Sequence, residues 1–117
     1  MRQTLKNGAV GEQLAIEYLE KKAYHILQRN YRFEHGEIDI VADDHGVLVF
    51  VEVKARSSRE YGEPEEAVTE SKRRKIRHTA DGYLFENGID DRICRFDVIG
   101  IEFGQQRPVI RHLEDAF

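Results

Sequence analysis

Apolar positions recur along the chain with two periods, one typical of helices and one typical of strands. In residues 8–22, GAVGEQLAIEYLEKK, apolar and small side chains return every three or four positions, which predicts a helix with one buried face. A second helix is predicted to begin near an N-cap at Thr69 or Ser71 and to stop at Asn87-Gly88. The segment EPEEAV before it predicts a short turn or half-helix.

Five segments are rich in the β-branched and aromatic residues that strands favour. The predicted strands cover residues 25–33, 36–43, 47–55, 95–103 and 108–113. Together with the two helices they give the order αβββαββ. This order predicts an α/β fold in which helices flank a mixed β-sheet.

The segment GEIDIVADDHGVLVFVEVKAR, residues 36–56, predicts two strands joined by a tight turn at His45-Gly46. A two-residue turn fixes the pairing of the strands and places Asp39 opposite Glu52. Because side chains alternate between the two faces of a strand, the other face of this hairpin is apolar and must be covered by a helix. That predicted apolar face consists of Ile38, Ile40, Val49, Val51 and Val53.

The charged face of this hairpin has two interpretations. In the first it is a solvated surface, on which Lys54 pairs with Glu37 opposite it. That interpretation leaves Asp39 beside Glu52, and like charges that face each other across strands are destabilising. A divalent ion such as Mg²⁺ or Mn²⁺ would remove the repulsion, since such ions are commonly held by one or two carboxylates and by phosphate oxygens. The second interpretation is therefore a metal-dependent phosphodiester site.

Size and composition limit the classes of protein to be considered. A chain of 117 residues with 40% hydrophobic content predicts one domain. Its longest apolar run, VLVFV at 47–51, is too short to span a bilayer, which takes about 20 residues. Cys94 is the only cysteine, and the first residues lack an apolar signal-peptide core. We therefore expect a cytoplasmic protein without a membrane partner.

The net charge of −4 argues against general DNA binding, but one segment is strongly basic. The segment SKRRKIRH contains Lys72, Arg73, Arg74, Lys75 and Arg77. With Arg56 and Arg59 these side chains could line a track for phosphates, and the alternative is a solvated helix face. Lys72 also starts a core-facing stripe that continues through Ile76, Ala80 and Leu84, so it is expected to reach toward Asp39 and Glu52.

Three further acidic residues are candidates for buried or functional positions. Glu12 falls inside the apolar arc of the first predicted helix, and Gly8 and Gly11 would let this helix approach the sheet closely. The alternative for Glu12 is an ordinary first-turn glutamate favoured by the helix dipole. Glu37 either binds a metal or pairs with Arg32 or Lys54, and Asp97 is expected to be a buried structural partner of Arg95 or Arg56.

The spacing of Asp39, twelve intervening residues and then Glu52-Val53-Lys54 resembles the PD-(D/E)XK nuclease superfamily. Ile38 occupies the place of the proline after which that pattern is named. Taken with RNYRFEHGEIDI, GEPEEAV, SKRRKI and RFDVI, nearly the whole chain resembles the YraN-like family, whose fold is similar to that of archaeal Holliday junction resolvases. The resemblance implies one nuclease-like domain over residues 1–117, with a restriction-endonuclease-like sheet.

The resemblance and the chemistry of the side chains together assign roles. Asp39, Glu52 and the backbone carbonyl of Val53 would bind Mg²⁺ or Mn²⁺. Lys54 would orient the attacking water and offset charge that develops on the phosphate. The resemblance to resolvases implies that Glu12, on the first helix, contributes to the same metal site.

Three functions follow as hypotheses. The first is a metal-dependent endonuclease that acts on branched or otherwise structured DNA, and a homodimer would give it two active sites for two strands. The second is a nucleic-acid-binding module that keeps the nuclease fold without useful turnover. The third is a protein-interaction domain. Facing carboxylates favour the first, because without a metal they repel phosphate.

Overall fold

The computed structural model describes residues 2–57, 64–104 and 106–117, and the side chains of residues 8–57, 66–104 and 106–117. Arg59 lies outside the described residues. The elements are α1 (Arg2–Lys21), β1 (His25–Phe33), β2 (Gly36–Asp44), β3 (Val47–Arg56), a short 3-10 helix (Pro64–Ala67), α2 (Glu70–Glu86), β4 (Cys94–Glu102) and β5 (Val109–Leu113). The predicted order αβββαββ is confirmed. Helix α1 begins earlier than the apolar periodicity indicated.

The five strands form one mixed sheet in the order β1-β2-β3-β4-β5. Strands β3 and β4 are parallel, and the other neighbouring pairs are antiparallel. Parallel neighbours need a crossover connection, which here contains α2. Helix α1 packs with one apolar cluster and α2 with another, so the sheet is the middle layer of three.

The turns and caps form where the sequence predicted them. His45 and Gly46 take positive φ values of 50° and 98° between the paired residues Asp44 and Val47, which confirms the two-residue turn. Helix α2 is capped by Thr69, whose side chain accepts a hydrogen bond from the backbone N–H of Lys72 at 3.3 Å. The helix ends at Glu86, just before Asn87-Gly88.

A glycine brings α1 close to the middle of the sheet. A Cβ atom built on Gly11 would lie 2.8 Å from the Cβ of Ala55 on β3, so a larger residue would push the helix away. The same role was predicted for Gly8, and this was wrong, since a Cβ there would meet nothing within 4 Å. The close approach at Gly11 fixes the position of the neighbouring Glu12 relative to β3. Among the described helices, neither is long and apolar enough to cross a membrane.

Candidate functional site

The predicted charged hairpin contains the point at which β2 and β3 stop pairing. Their register runs from Asp44–Val47 to Ile40–Val51. Beyond it, Oδ2 of Asp39 accepts a hydrogen bond from the backbone N–H of Val53 at 2.8 Å. The Asp39 carboxylate thus accepts a hydrogen bond that a backbone carbonyl of β2 would accept in a regular antiparallel pair. The candidate site therefore lies at the end of the hydrogen-bonded pairing between β2 and β3.

Strand alternation also fails here, which corrects one prediction. Ile40 belongs to the α1-side cluster, whereas Ile38 packs in the α2-side cluster with Tyr31, so the expected common face for Ile38 and Ile40 is wrong. Asn30 and Asp39 lie between the register pairs Arg29–Ile40 and Tyr31–Ile38, and Asn30 has a left-handed φ of 51°. The period of two that regular strands obey is thus interrupted in β2 beside an irregular residue of β1.

Asp39 and Glu52 face each other, as the turn geometry predicted. Burial, followed by the charge of Glu52 and a hydrogen bond with it, raises the pKa of Asp39 to about 8, while the bond from the Val53 N–H opposes the rise. Near neutral pH the pair therefore favours holding a proton.

Two lysines converge on Glu52. The Nζ atom of Lys54 lies 3.7 Å from Oε2 of Glu52, and their side chains are only 20% and 15% exposed. The nearby ammonium of Lys54 and partial burial lower the pKa of Lys72 on α2, and Arg56 adds a smaller contribution in the same direction. Lys72, predicted to reach toward the carboxylates, thus lies in the electrostatic field of Lys54 and Glu52.

Glu12 lies within electrostatic range of Asp39. Partial burial raises its pKa, the charge of Asp39 raises it further, and a side-chain hydrogen bond with Asn30 opposes the rise. Glu37, in contrast, forms an exposed ion pair with Arg32, with 3.1 Å between Oε2 and Nε. This is one of the two pairings predicted for Glu37.

The carboxylates do not form a closed metal cage. Within residues 2–57, 64–104 and 106–117, no group of three or more histidine, cysteine, aspartate or glutamate side chains is arranged to hold a metal ion. Glu12 therefore influences Asp39 electrostatically without completing a three-carboxylate set with Glu52. The donors that fit a divalent ion are the two facing carboxylates, a set typical of sites in which water or phosphate completes the coordination.

A pocket of about 150 Å³ opens beside the pair. We call it the Glu52 pocket, and it is lined by His35, Gly36, Glu37, Glu52, Lys72, Lys75 and Ile76. One wall therefore carries carboxylates from the sheet and the other carries ammonium groups from α2. An arrangement of this kind accepts a phosphate whose charge is shared between lysines and a metal ion.

The basic segment of α2 divides into two parts. The guanidinium groups of Arg73 and Arg77 lie over the ring of Phe117, at 5.5 and 5.6 Å from its centre. Nε of Arg73 also donates to the backbone carbonyl of Val68. Arg73 and Arg77, two of the residues predicted to line a phosphate track, thus contact the C-terminal residue of their own chain. Arg74 and Lys75 instead face the β1–β2 turn.

Asn30 is the residue of the site that sequence reasoning missed. It interrupts a predicted strand, where asparagine is disfavoured, and asparagine is one of the few residues that adopt a left-handed backbone readily. Those two properties are the signal that could have identified it. In the structure its side chain forms a hydrogen bond with Glu12, and its backbone lies between the register pairs Arg29–Ile40 and Tyr31–Ile38.

Asp97 has the structural role that was predicted for it. Its carboxylate is completely buried and accepts hydrogen bonds from Nε and Nη2 of Arg95 at 2.9 and 3.0 Å. Nε2 of His112, at 2.7 Å, and the backbone N–H of Asp115, at 3.0 Å, complete the set. This cluster lies on β4 and β5, apart from the Glu52 pocket.

Comparison with known proteins finds relatives that cover almost the whole chain. The model of UPF0102, described as an uncharacterised protein family, matches residues 11–101. A UPF0102 protein of Alkaliphilus oremlandii is 49% identical over 114 residues, which are 96% of this chain and 97% of the relative. A UPF0102 protein of Geobacter metallireducens is 50% identical over 110 residues, which are 94% of this chain and 90% of the relative.

Proposed function

The chain belongs to the uncharacterised protein family UPF0102, and we propose that it is a metal-dependent endonuclease that cleaves phosphodiester bonds in branched or otherwise structured DNA. The observation that carries the proposal is the facing pair Asp39 and Glu52, with Lys54 3.7 Å from Glu52. We further propose that the fold belongs to the PD-(D/E)XK superfamily and is similar to that of archaeal Holliday junction resolvases.

The donor set suits Mg²⁺ or Mn²⁺. Asp39, Glu52 and the backbone carbonyl of Val53 would hold the ion, since hard cations prefer oxygen ligands and leave positions for water and phosphate. Bound there, the ion supplies a Lewis acid and lowers the pKa of a coordinated water. Glu12 would keep the region acidic from the side of α1.

Lys54 and Lys72 would act on the phosphate. Lys54 is close enough to Glu52 to be held in place, so its ammonium can orient the nucleophilic water and offset charge in the transition state. Lys72 would bind a non-bridging or neighbouring phosphate oxygen from the opposite wall of the Glu52 pocket. Both lysines would thus be stabilised by the negative charge that the substrate brings.

A basic surface would extend this site along the DNA. Arg56 on β3 and Arg74 and Lys75 on α2 lie around the Glu52 pocket or the neighbouring β1–β2 turn. So small a surface can neutralise few phosphates of a straight duplex, whereas a junction brings phosphates of several strands together. A homodimer would present two such surfaces and two sites.

A second candidate is a nucleic-acid-binding module that keeps this fold without turnover. The absence of a three-ligand metal group in the described part of the chain favours it, because a two-carboxylate site depends more on substrate oxygens to hold the ion. The facing carboxylates favour the nuclease, since without a metal they would repel the DNA backbone.

Cleavage of defined DNA substrates tests the proposal. Labelled linear, flap, fork and four-way-junction DNAs would be incubated with Mg²⁺ or Mn²⁺, with EDTA as the metal-free control. We expect incision of branched DNA in preference to linear duplex, and no incision by an Asp39→Ala, Glu52→Ala double variant. DNA binding without incision of any substrate would favour the binding module, and equal incision by the double variant would exclude this site as the source of the activity.

A further inference from the structure

A second cavity adjoins the Glu52 pocket. It has a volume of about 300 Å³ and lies between α2, which contributes Arg74, Lys75, His78 and Thr79, and the 34–36 turn of the β1–β2 hairpin. We call it the His78 cavity. It shares His35, Gly36 and Lys75 with the Glu52 pocket, so the two form one continuous depression. A ligand held at Glu52 can extend into it.

Close packing fixes the walls of this cavity. Gly36 leaves no room for a Cβ atom because the hydroxyl of Thr79 occupies that position, and Gly82 is filled in the same way by the ring of Phe33. Nε2 of His78 lies 2.8 Å from Oε1 of Glu34, which links the helix to the turn at the rim. The cavity is therefore part of the folded framework and not a gap between loosely placed loops.

The chemistry of the walls suits a nucleotide. The imidazole of His78 is held beside the ring of Phe33, with 5.7 Å between ring centres and 58° between ring planes. Its side chain is 62% exposed, so a base can stack on the imidazole. Arg74 and Lys75 place positive charge at the same rim, where the phosphate of that nucleotide would lie. A flat aromatic wall beside two cations matches a base and its phosphate.

We infer that the His78 cavity binds one unpaired nucleotide of the DNA strand whose phosphate lies in the Glu52 pocket. A base inside a duplex is stacked between its neighbours and cannot enter a side cavity, whereas a base at a flap, fork or gap is free to do so. The inference rests on the proposed function and deepens it. On this inference, the protein selects its substrate by the unpaired nucleotide next to the cleaved bond.

Binding in EDTA tests the cavity without any need for turnover. An oligonucleotide of four thymidylate units would be titrated into ¹⁵N-labelled protein, alongside the same oligonucleotide with one abasic position and thymidine monophosphate. We expect amide shifts at Gly36 and Thr79, and binding of the full tetranucleotide about tenfold tighter than that of the abasic form, the loss typical of one stacked base. The mononucleotide should bind more weakly than the tetranucleotide, because it brings only one phosphate to Arg74 and Lys75.

Two histidine variants decide whether His78 provides the stacking. His78→Ala should reduce the tenfold difference between the intact and abasic oligonucleotides to about twofold or less. The substitution and the missing base remove the same stacking contact, so their effects on affinity are not additive. The matched control, His25→Ala, removes an exposed histidine at the other end of β1 and should keep the full difference. Unchanged discrimination in His78→Ala, shifts that map away from the cavity, or no binding of the tetranucleotide would each overturn the inference. Cavity binding without DNA cleavage would contradict only the nuclease proposal, whereas cleavage without cavity binding would contradict only this inference.

Discussion

Two aspartates in the same sheet, Asp97 fully buried and Asp39 half-buried, have opposite surroundings. Asp97 on β4 is surrounded by donors, and although burial opposes its ionisation, hydrogen bonds from His112 and Arg95 hold its pKa below the usual value. Asp39 on β2 accepts a bond from the Val53 N–H and faces Glu52, and burial raises its pKa to about 8. A buried carboxylate with its donors in place stabilises the fold, whereas one beside another carboxylate is suited to a cation from solution.

The largest difference between the two aspartates should appear in stability. Asp97→Ala leaves the largely buried guanidinium of Arg95 without its main partner, so we expect it to lower the free energy of unfolding by about 3 to 5 kcal/mol. Asp39→Ala, measured in EDTA, removes a repulsive neighbour of Glu52 and should leave stability unchanged or slightly raised. Urea unfolding of both variants, with the exposed Asp90→Ala as control, makes the comparison. A large loss in Asp39→Ala would mean that Asp39 is structural.

The next effect concerns Lys54. We expect Lys54→Ala to reduce cleavage by about 10²- to 10³-fold while Mn²⁺ binding is largely retained, because the ammonium acts in the transition state and is not a metal ligand. Lys54→Arg should also cleave DNA poorly, since a planar guanidinium does not replace a compact ammonium in so confined a position. Single-turnover kinetics and calorimetry on the same preparations provide the measurement, with Arg32→Ala as a control on β1. Near-normal cleavage by either Lys54 variant would mean that Lys54 belongs to a solvated strand face and has no role in cleavage.

The two aspartates also predict opposite pH dependence. The pKa of Asp39 rises from 3.8 to about 8 on folding, so the folded metal-free protein binds more protons than the unfolded chain between these values. Its contribution to stability is therefore present at low pH and is lost as the pH rises toward 8. Asp97, with a lowered pKa, contributes stability that is lost as the pH falls.

The free energy of unfolding, measured in EDTA between pH 5 and pH 8, gives the dependence of stability on pH. We expect the stability of Asp39→Asn relative to wild type to increase from pH 5 to pH 8, by at most about 4 kcal/mol over these three units at 1.4 kcal/mol per pKa unit. If wild type and Asp39→Asn show the same pH profile, Asp39 is ionised in the folded protein at all these pH values and the contrast with Asp97 disappears.

The smallest effect separates the two parts of the basic helix. Arg74→Glu with Lys75→Glu should weaken binding of branched DNA by about tenfold and reduce the slope of log K against log salt by about 2, roughly 0.9 for each phosphate that the variant no longer neutralises. Arg73→Glu with Arg77→Glu changes residues that pack on Phe117, so it should affect the slope less. Gel-shift titrations at several salt concentrations compare the two pairs. Equal slopes in both variants and wild type would place the DNA surface elsewhere.

The sequence predicted most of the fold because its signals are local. The turn at His45-Gly46 and the cap at Thr69 were predicted from a few neighbouring residues each. The turn and the parity of the strands also placed Asp39 near Glu52 without knowledge of the sheet order. The change of face at Ile38 could not be derived in the same way, because regular strand alternation predicts a common face for Ile38 and Ile40.

Other features depended on contacts between distant segments. The packing of Arg73 and Arg77 on Phe117 joins residues some forty positions apart, and helical periodicity contains no information about it. The His78 cavity likewise requires Gly36 to meet Thr79, a contact set by how α2 crosses the sheet. The roles of Lys54, Lys72 and Glu12 stay predictions, because proximity of side chains does not by itself establish chemistry.

Calorimetric titration with Mn²⁺ tests the central claim, that Asp39 and Glu52 form a metal site, most directly. We expect the wild-type protein to bind one or two ions, with an affinity that increases from pH 6 to pH 8 because binding displaces the proton held by a group whose pKa is about 8. The Asp39→Ala, Glu52→Ala variant should lose this binding, and the exposed pair Asp90→Ala, Asp91→Ala should keep it. Equal Mn²⁺ binding by wild type and the Asp39→Ala, Glu52→Ala variant would contradict the account.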